Sequence, residues 1–209
     1  MTEPTFVILH GHPPSGGLGV ACFTEDRAIR WWLQRVWDPT ARDMVWIMLN
    51  PSLADESRDD ATIRRCTGYA RREGCGSITV VNLFPVISTD PHLLITRLAT
   101  GGNGDVRWVP ANPWWEDTNL GFICAAARGA RLLPGKLSPV VTGLRPRPLI
   151  MCGWGTWGGH PGLARAAVQV NAELARDRVA WNALGYTADG QPRHPLRLRA
   201  DAPLLEARR

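Results

Sequence analysis

Three polar residues stand at the ends of predicted apolar segments, and their side chains could act on a ligand. Asn50 directly follows the apolar run 45–49, Asn82 lies inside the run 80–84, and His194 lies between two prolines. A carboxamide offers donors and an acceptor, so it can position a water or read the amide edge of a nucleobase. A histidine in a rigid loop can donate to a developing anion or act as a general acid. A turn, a loop-capping asparagine and a solvent-exposed histidine explain the same residues, and these interpretations stay open here.

Charged side chains follow Asn50 closely. Asp55, Asp59 and Asp60 precede the pair Arg64 and Arg65. The carboxylates could bind a divalent metal, but caps and a solvated loop explain them as well, and we expect neither a metal site nor a cofactor. The two arginines could neutralise a phosphate or pair with the aspartates.

Aromatic residues mark two further segments. The apolar run 148–153 ends in Trp154 and Gly155, and the stretch 100–116 is rich in Gly, Pro, Asn and Trp. Its tryptophans could stack on bases, although packing onto the core is the more ordinary explanation. The chain contains no G-x-x-x-x-G-K-[ST], G-x-S-x-G or H-E-x-x-H motif, which removes the familiar phosphate-loop, serine-hydrolase and zinc-protease signatures.

Composition sets the broad class. A net charge of +5 permits a nucleic-acid partner without requiring one. The five cysteines are dispersed and form no C-x-x-C pair, which favours reduced thiols over disulfides. No apolar run is long enough for a membrane span. We therefore expect a soluble cytoplasmic protein that does not associate with membranes.

The elements that must position these residues follow from hydrophobic runs and caps. We predict strands at 6–9, 27–37, 44–49, 77–84, 148–153 and 181–186, with a loop at 10–19. We predict helices from Ala61 to about Arg72 with an aspartate cap, and at 91–98, 118–131 and 160–178. The tail after Asp201 should fray. This alternation predicts a three-layer α/β/α fold with a mostly parallel central sheet. We expect one domain over 1–209, with its core at about 20–200 and an inserted loop at 100–116.

Several motifs resemble those of domain-of-unknown-function family 1643, a bacterial and phage family. They occur in family order at 48–52, 54–55, 59–66, 81–84, 89–91, 154–155 and 190–196. The sequence departs from the family pattern at Leu53, at 87–88 and at Arg197, and the stretch 100–116 is longer than usual. These departures concern specificity more than the fold.

A more distant resemblance is to uracil-DNA glycosylases, which have similar short motifs in the same order. The resemblance implies that Asn50 holds a water, that Asn82 reads an extruded base, and that His194 stabilises the charge on the leaving base. It implies phosphate contacts by Arg193 and Arg197. The other residues assigned to the substrate site are Pro51, Ser52, Phe84, Trp154, Gly155 and Pro195, with Asp55, Asp60, Arg64 and Arg65 in support.

The function expected from these residues is recognition of, or action on, a nucleobase or nucleotide. A glycosylase-like hydrolase of a modified base is one form of it. The alternative is a non-catalytic module that binds nucleic acid or a nucleotide, because position 50 carries an amide where a general base would need a carboxylate.

Overall fold

An eight-stranded mixed sheet forms the centre of the described part of the protein. The computed structural model describes residues 6–90, 92, 94, 113–130, 146–159 and 164–207. In chain order the strands are β1 (Val7–Gly11), β2 (Leu18–Phe23), β3 (Arg30–Val36), β4 (Asp43–Met48), β5 (Ser77–Asn82), β6 (Leu149–Cys152), β7 (Asn182–Ala183) and β8 (Leu205–Glu206). Their order across the sheet is β1-β2-β3-β5-β4-β6-β7-β8.

The prediction of a mostly parallel sheet was wrong. Only the pairs β4–β5, β4–β6 and β6–β7 are parallel, and the other four pairs are antiparallel. The short links 12–17 and 24–29 join β1 to β2 and β2 to β3. Links of this length make hairpins, whereas parallel neighbours need a long crossover. The N-terminal part is therefore an antiparallel meander beside a parallel centre.

Helices cover both faces of the sheet: α1 (Ala61–Arg72), α2 (Pro113–Ala127) and α3 (Ala164–Arg176). Successive side chains of a strand point to opposite faces. In β4, Met44, Trp46 and Met48 pack in the cluster that contains the buried residues of α1. The residues between them pack in the cluster that contains α2 and α3. The α/β class is therefore confirmed, with a mixed sheet between its helices.

Most predicted elements recur with shifted ends. Helix α1 begins after Asp60, whose side chain accepts from the backbone N–H of Ile63, as expected of an N-cap. Strand β3 confirms the strand predicted over 27–37, with shorter bounds. Helix α2 begins at Pro113, inside the predicted insertion 100–116, which suits a proline at the first helical position. Residues 100–112 and most of the predicted helix 91–98 lie outside the described residues.

The predicted loop at 10–19 was too long at both ends, and the predicted fraying of the tail was wrong. The predicted loop 10–19 contains the ends of β1 and β2, which pair through His10 and Val20. The tail does not fray after Asp201: β8 pairs with β7, and the N–H of Ala207 donates to the carbonyl of Trp181. Among the described residues, none of the helices combines the length and the apolar character needed to cross a bilayer.

Candidate functional site

A cavity of about 540 Å³ opens where β4, β5 and β6 end. Ligands commonly bind at the carboxyl ends of parallel strands, where loops rather than strands continue the chain. We call this cavity the central cleft. Its polar and aromatic lining includes Arg30, Asn50, Ser52, Asp60, Asn82, Ser88, Trp154, Trp157, Arg193, His194 and Arg197. The cleft thus brings together the three residues that the sequence singled out, Asn50, Asn82 and His194.

Asn50 is held by hydrogen bonds that determine the orientation of its amide. Its Nδ2 donates to the carbonyl of Pro51 at 2.9 Å and to the carbonyl of Ser88 at 2.8 Å. The N–H of Ser88 donates in turn to the Pro51 carbonyl. Since both partners are acceptors, the NH₂ group must face them. The Oδ1 atom of Asn50 is left as an acceptor on a half-buried residue that lines the cleft.

Asn82 is the most unusual residue of the site. It ends β5 and is only 1% exposed, yet neither Nδ2 nor Oδ1 has a hydrogen-bond partner among the described residues. Its backbone is held in place by the buried Asn119, whose Nδ2 donates to the carbonyls of Asn82 and Leu83. Buried amides are almost always hydrogen-bonded, and leaving one unpaired costs about 1–3 kcal/mol. The amide of Asn82 therefore faces the cleft with its hydrogen-bonding capacity unused.

The loop after β6 and the loop around His194 support each other. The N–H of Gly155 donates to the carbonyl of Pro192 at 2.8 Å. Gly155 has a φ of +74°, and a Cβ added there would lie 3.6 Å from the Cβ of His194. Glycine is favoured in this backbone conformation. The indole N–H of Trp154 donates to Oε1 of Gln191 at 2.8 Å. These contacts seat the His194 loop against the end of β6.

His194 presents one defined nitrogen for donation. Its Nδ1 accepts from the N–H of Leu196 at 3.3 Å. Nδ1 must then be unprotonated, which places the proton of the neutral ring on Nε2. Burial lowers the pKa of His194 below its ordinary value of 6.5, opposed by Asp60 and assisted by Arg197. The neutral ring, an Nε2–H donor, therefore predominates at pH 7.

Arg30 is a cleft residue that the sequence analysis did not identify. It begins β3 and is 2% exposed, and its Nη1 donates to the carbonyl of Ala54 at 2.7 Å. Its Nε is buried without a hydrogen-bond partner, and no carboxylate of the described residues forms an ion pair with it. An arginine at the start of a strand gives no sign in the sequence that it will be buried.

The three aspartates after Asn50 have structural contacts. Asp55 accepts from the N–H groups of Ser57 and Arg58, as in an Asx-turn. Asp59 forms a buried ion pair with Arg35 at 2.8 Å. Burial raises the pKa of Asp59, but hydrogen bonds from Arg35 and from the Ser15 backbone outweigh it and leave the pKa below its ordinary value.

Asp60 caps α1 and is the carboxylate that lines the cleft among the described residues. No group of three or more possible metal-ligating side chains occurs in the described ranges.

The cysteines are all buried and unpaired, and none lines the cleft. Burial raises the pKa of Cys22 to about 12 and that of Cys152 well above its ordinary value, so these thiols remain protonated at neutral pH.

Arg64 and Arg65 lie outside the central cleft. They line a neighbouring groove of about 530 Å³ with Tyr69 and Arg72 on α1. Leu196 lines both the groove and the cleft, so the two openings adjoin. Arg64 and Arg65 therefore line this groove and not the cleft that they were predicted to support, while Arg193 and Arg197 line the cleft itself.

Four other predicted residues do not line the central cleft: Pro51, Phe84, Pro195 and Asp55. The two prolines and Phe84 are buried. Phe84 packs in the hydrophobic core, and its N–H donates to the carbonyl of Leu49. A Cβ on Gly153 would lie 3.2 Å from Pro195 Cδ. These residues belong to the chain segments next to Asn50, Asn82 and His194.

Trp157 is an aromatic cleft residue that the sequence analysis overlooked. It lines the cleft from the short 3₁₀ helix Thr156–Gly159, half-buried, and its ring meets the His92 ring edge-on at 4.8 Å. Its position shortly after Trp154 and Gly155, in the segment that follows β6, was the signal that could have indicated it.

Residues 30–196 match the family described as "Protein of unknown function (DUF1643)". The chain belongs to this family. The match confirms the resemblance inferred from the motifs, and within it fall all lining residues of the cleft except Arg197 and Leu198. No curated protein and no solved structure matches this DUF1643 chain. The resemblance to uracil-DNA glycosylases thus remains a prediction from the motifs.

Proposed function

We propose that the central cleft recognises a nucleobase, presented by nucleic acid or by a nucleotide. The observation that carries the proposal is the amide of Asn82, which is buried at the cleft with both polar atoms unpaired among the described residues. A carboxamide can donate to one atom and accept from its neighbour on the amide edge of a base. A base that bound there would satisfy a group that is costly to leave unpaired.

Other groups around Asn82 suit the same ligand. The indole of Trp157 offers a face for base stacking. The Nε2–H of His194 is a donor and Oδ1 of Asn50 is an acceptor. Arg193 and Arg197 are exposed cations at the cleft that could pair with phosphates. The arrangement thus combines base recognition within the cleft and phosphate contacts at its edge.

A hydrolytic form of this function is the cleavage of an N-glycosidic bond. Oδ1 of Asn50 would accept from a water, which attacks the anomeric carbon as the bond to the base breaks. The bonding electrons pass to the base, where the Nε2–H of His194 stabilises the anion. The carboxylate of Asp60 could accept the proton that the water loses, and the base takes a proton from solvent. Asn50 itself cannot act as the base.

Recognition is tested by comparing one substitution inside the cleft with one outside it. Asn82→Leu should weaken binding of the preferred nucleoside or oligonucleotide, because the leucine can neither donate nor accept. The loss of a site's hydrogen-bonding amide should cost roughly 10- to 100-fold. Asn182→Leu serves as the control: Asn182 lies in β7 and does not line the cleft. Equal affinities for Asn82→Leu and the unmodified protein would remove the proposal.

Turnover separates the hydrolase from the binding module. Duplex and single-stranded oligonucleotides that contain uracil or modified pyrimidines are incubated with the protein, and alkali-labile sites are measured. A hydrolase should lose activity in Asn50→Ala, His194→Ala and Asp60→Asn variants. Binding that weakens steeply with salt, without alkali-labile sites at any base, would instead indicate the non-catalytic module.

A further inference from the structure

The guanidinium of Arg30 lies at the cleft without an ion-pair partner among the described residues. Its one side-chain hydrogen bond within the described residues goes to the Ala54 carbonyl, and its Nε is buried without a partner. A buried charge that lacks a partner is far more costly than a buried neutral donor. A neutral amide could bond to Ala54 equally well. The contact with Ala54 therefore does not account for a charged side chain here.

The cation is retained despite burial. Burial lowers the pKa of Arg30 to about 10; the charge of Arg35 adds to that shift, and the charges of Asp60 and Asp55 oppose it. Arg30 is therefore charged at neutral pH. Asp60 forms no ion pair with it, and one oxygen of Asp60 already accepts from the Ile63 backbone. Among the described residues, the lining of the cleft thus carries the three arginines Arg30, Arg193 and Arg197 and one carboxylate, that of Asp60.

We propose that Arg30 binds an anionic oxygen of the ligand, from a phosphate or a carboxylate, within the central cleft. Such a group would supply the counter-ion that Arg30 lacks and would accept from its unpaired Nε. The inference rests on the proposed function for the base, but the anion site has its own test.

The proposal narrows the ligand to one that carries an anionic oxygen group, and this group has two possible sources. The anion is either the phosphate of a nucleotide that enters the cleft whole or a carboxylate on a modified base. In the first case a nucleoside 5′-monophosphate should bind more tightly than its nucleoside. In the second case a carboxylated pyrimidine should bind more tightly than the uncharged pyrimidine. A neutral base carried on a strand would leave Arg30 without a counter-ion, since Arg193 and Arg197 are the exposed arginines of the cleft.

The experiment measures binding of uridine, uridine 5′-monophosphate and orotate by calorimetry. The proteins are the unmodified chain, Arg30→Gln, Arg30→Lys and the control Arg165→Gln. Arg165 is exposed on α3 and does not line the cleft, so its loss changes net charge equally. We expect Arg30→Gln to weaken one anionic probe by about 10- to 100-fold, the range of a charge-assisted hydrogen bond. Uridine binding should change by less than about threefold. The anionic probe that loses affinity identifies the source, and Arg30→Lys should retain part of it.

The inference would be overturned if Arg30→Gln lost as much affinity for uridine as for the two anionic probes. It would also be overturned if neither Arg30 variant lost affinity for any probe. A second measurement, of the melting temperature with inorganic phosphate, shows whether the anion site or the proposed base recognition is wrong. Inorganic phosphate should raise the melting temperature of the unmodified chain and of Arg165→Gln but not that of Arg30→Gln. If phosphate does so and no pyrimidine probe binds, the anion site stands and base recognition fails. If neither phosphate nor any probe binds, both proposals fail.

Discussion

Replacing Asn82 by leucine should make the unliganded protein more stable. The amide of Asn82 is desolvated in the folded protein without hydrogen-bond partners among the described residues, whereas water satisfies it in the unfolded chain. Leucine has a similar branched shape, and the adjoining cleft leaves room for its extra volume. Removing an unpaired buried polar group should raise the free energy of unfolding by about 1–3 kcal/mol. A chain of this size gains roughly 2–4 °C in melting temperature per kcal/mol.

Asn119 provides the matched comparison. It is also a buried asparagine, but its Nδ2 donates to the carbonyls of Asn82 and Leu83. Asn119→Leu should remove the hydrogen bonds that both carbonyls accept from Asn119 and lower the free energy of unfolding by about 1–3 kcal/mol. The relief of its own unpaired Oδ1 offsets part of that loss. Two buried asparagines, substituted identically, are therefore expected to shift stability in opposite directions.

The assay is urea denaturation of the three unliganded proteins, followed by circular dichroism and by calorimetry. Equal slopes against urea show that the substitutions changed stability rather than the unfolded state. The reasoning is refuted if Asn82→Leu destabilises the protein as much as Asn119→Leu. In that event the Asn82 amide would be satisfied before any ligand binds, and its availability for base recognition would fail with it.

Three other perturbations follow from charged or titratable groups. Because burial lowers the pKa of His194, the fold favours its neutral ring, so the free energy of unfolding should be constant above pH 6.5 and fall as pH drops through the lowered pKa. A His194→Gln variant should lack this fall when urea denaturation is repeated at successive pH values. Arg35→Met leaves Asp59 buried without its ion-pair partner and should lower the free energy of unfolding by about 3–5 kcal/mol. A double variant with Asp59→Leu should recover much of that loss in denaturation experiments, and no recovery would show that the ion pair is not the cause. Arg193→Ala or Arg197→Ala should each reduce the slope of log affinity against log salt by about 1 for an oligonucleotide, and unchanged slopes would exclude these arginines from phosphate contact.

The ends and caps of helices could be predicted from sequence because they depend on neighbours in the chain. Asp60 caps α1 through a bond to Ile63, three residues away, and Gly74 follows the helix end with a φ of +69°. The residues that form such caps lie within a few positions of one another in the sequence. The order of strands is not local. A link of six residues joins β3 to β4, yet β5 lies between them and pairs with both. Periodicity identifies a strand without identifying its neighbours.

The position of the cleft was predictable for a related reason. Asn50, Asn82 and Trp154 each come at or directly after the end of β4, β5 or β6, and these three strands are mutually parallel. Parallel strands end at the same edge of a sheet, so residues distant in sequence meet there. The sheet as a whole is mixed, but this central part is parallel. The wrong prediction that the sheet is mostly parallel, which fails for β1–β3, therefore did not change the expected grouping of Asn50, Asn82 and Trp154.

Arg30 could not have been identified from the positions where the strands end. It begins β3, which is antiparallel to β5, so it reaches the cleft from a strand that starts where the parallel strands end. A search confined to the residues after strand ends passes over it. Its significance comes from what it lacks, a carboxylate partner in the described residues, and an absent partner cannot be seen in a sequence. The same holds for the amide of Asn82. The unpaired polar groups that point to a ligand are a property of packing, and they become visible only when every nearby donor and acceptor has been paired.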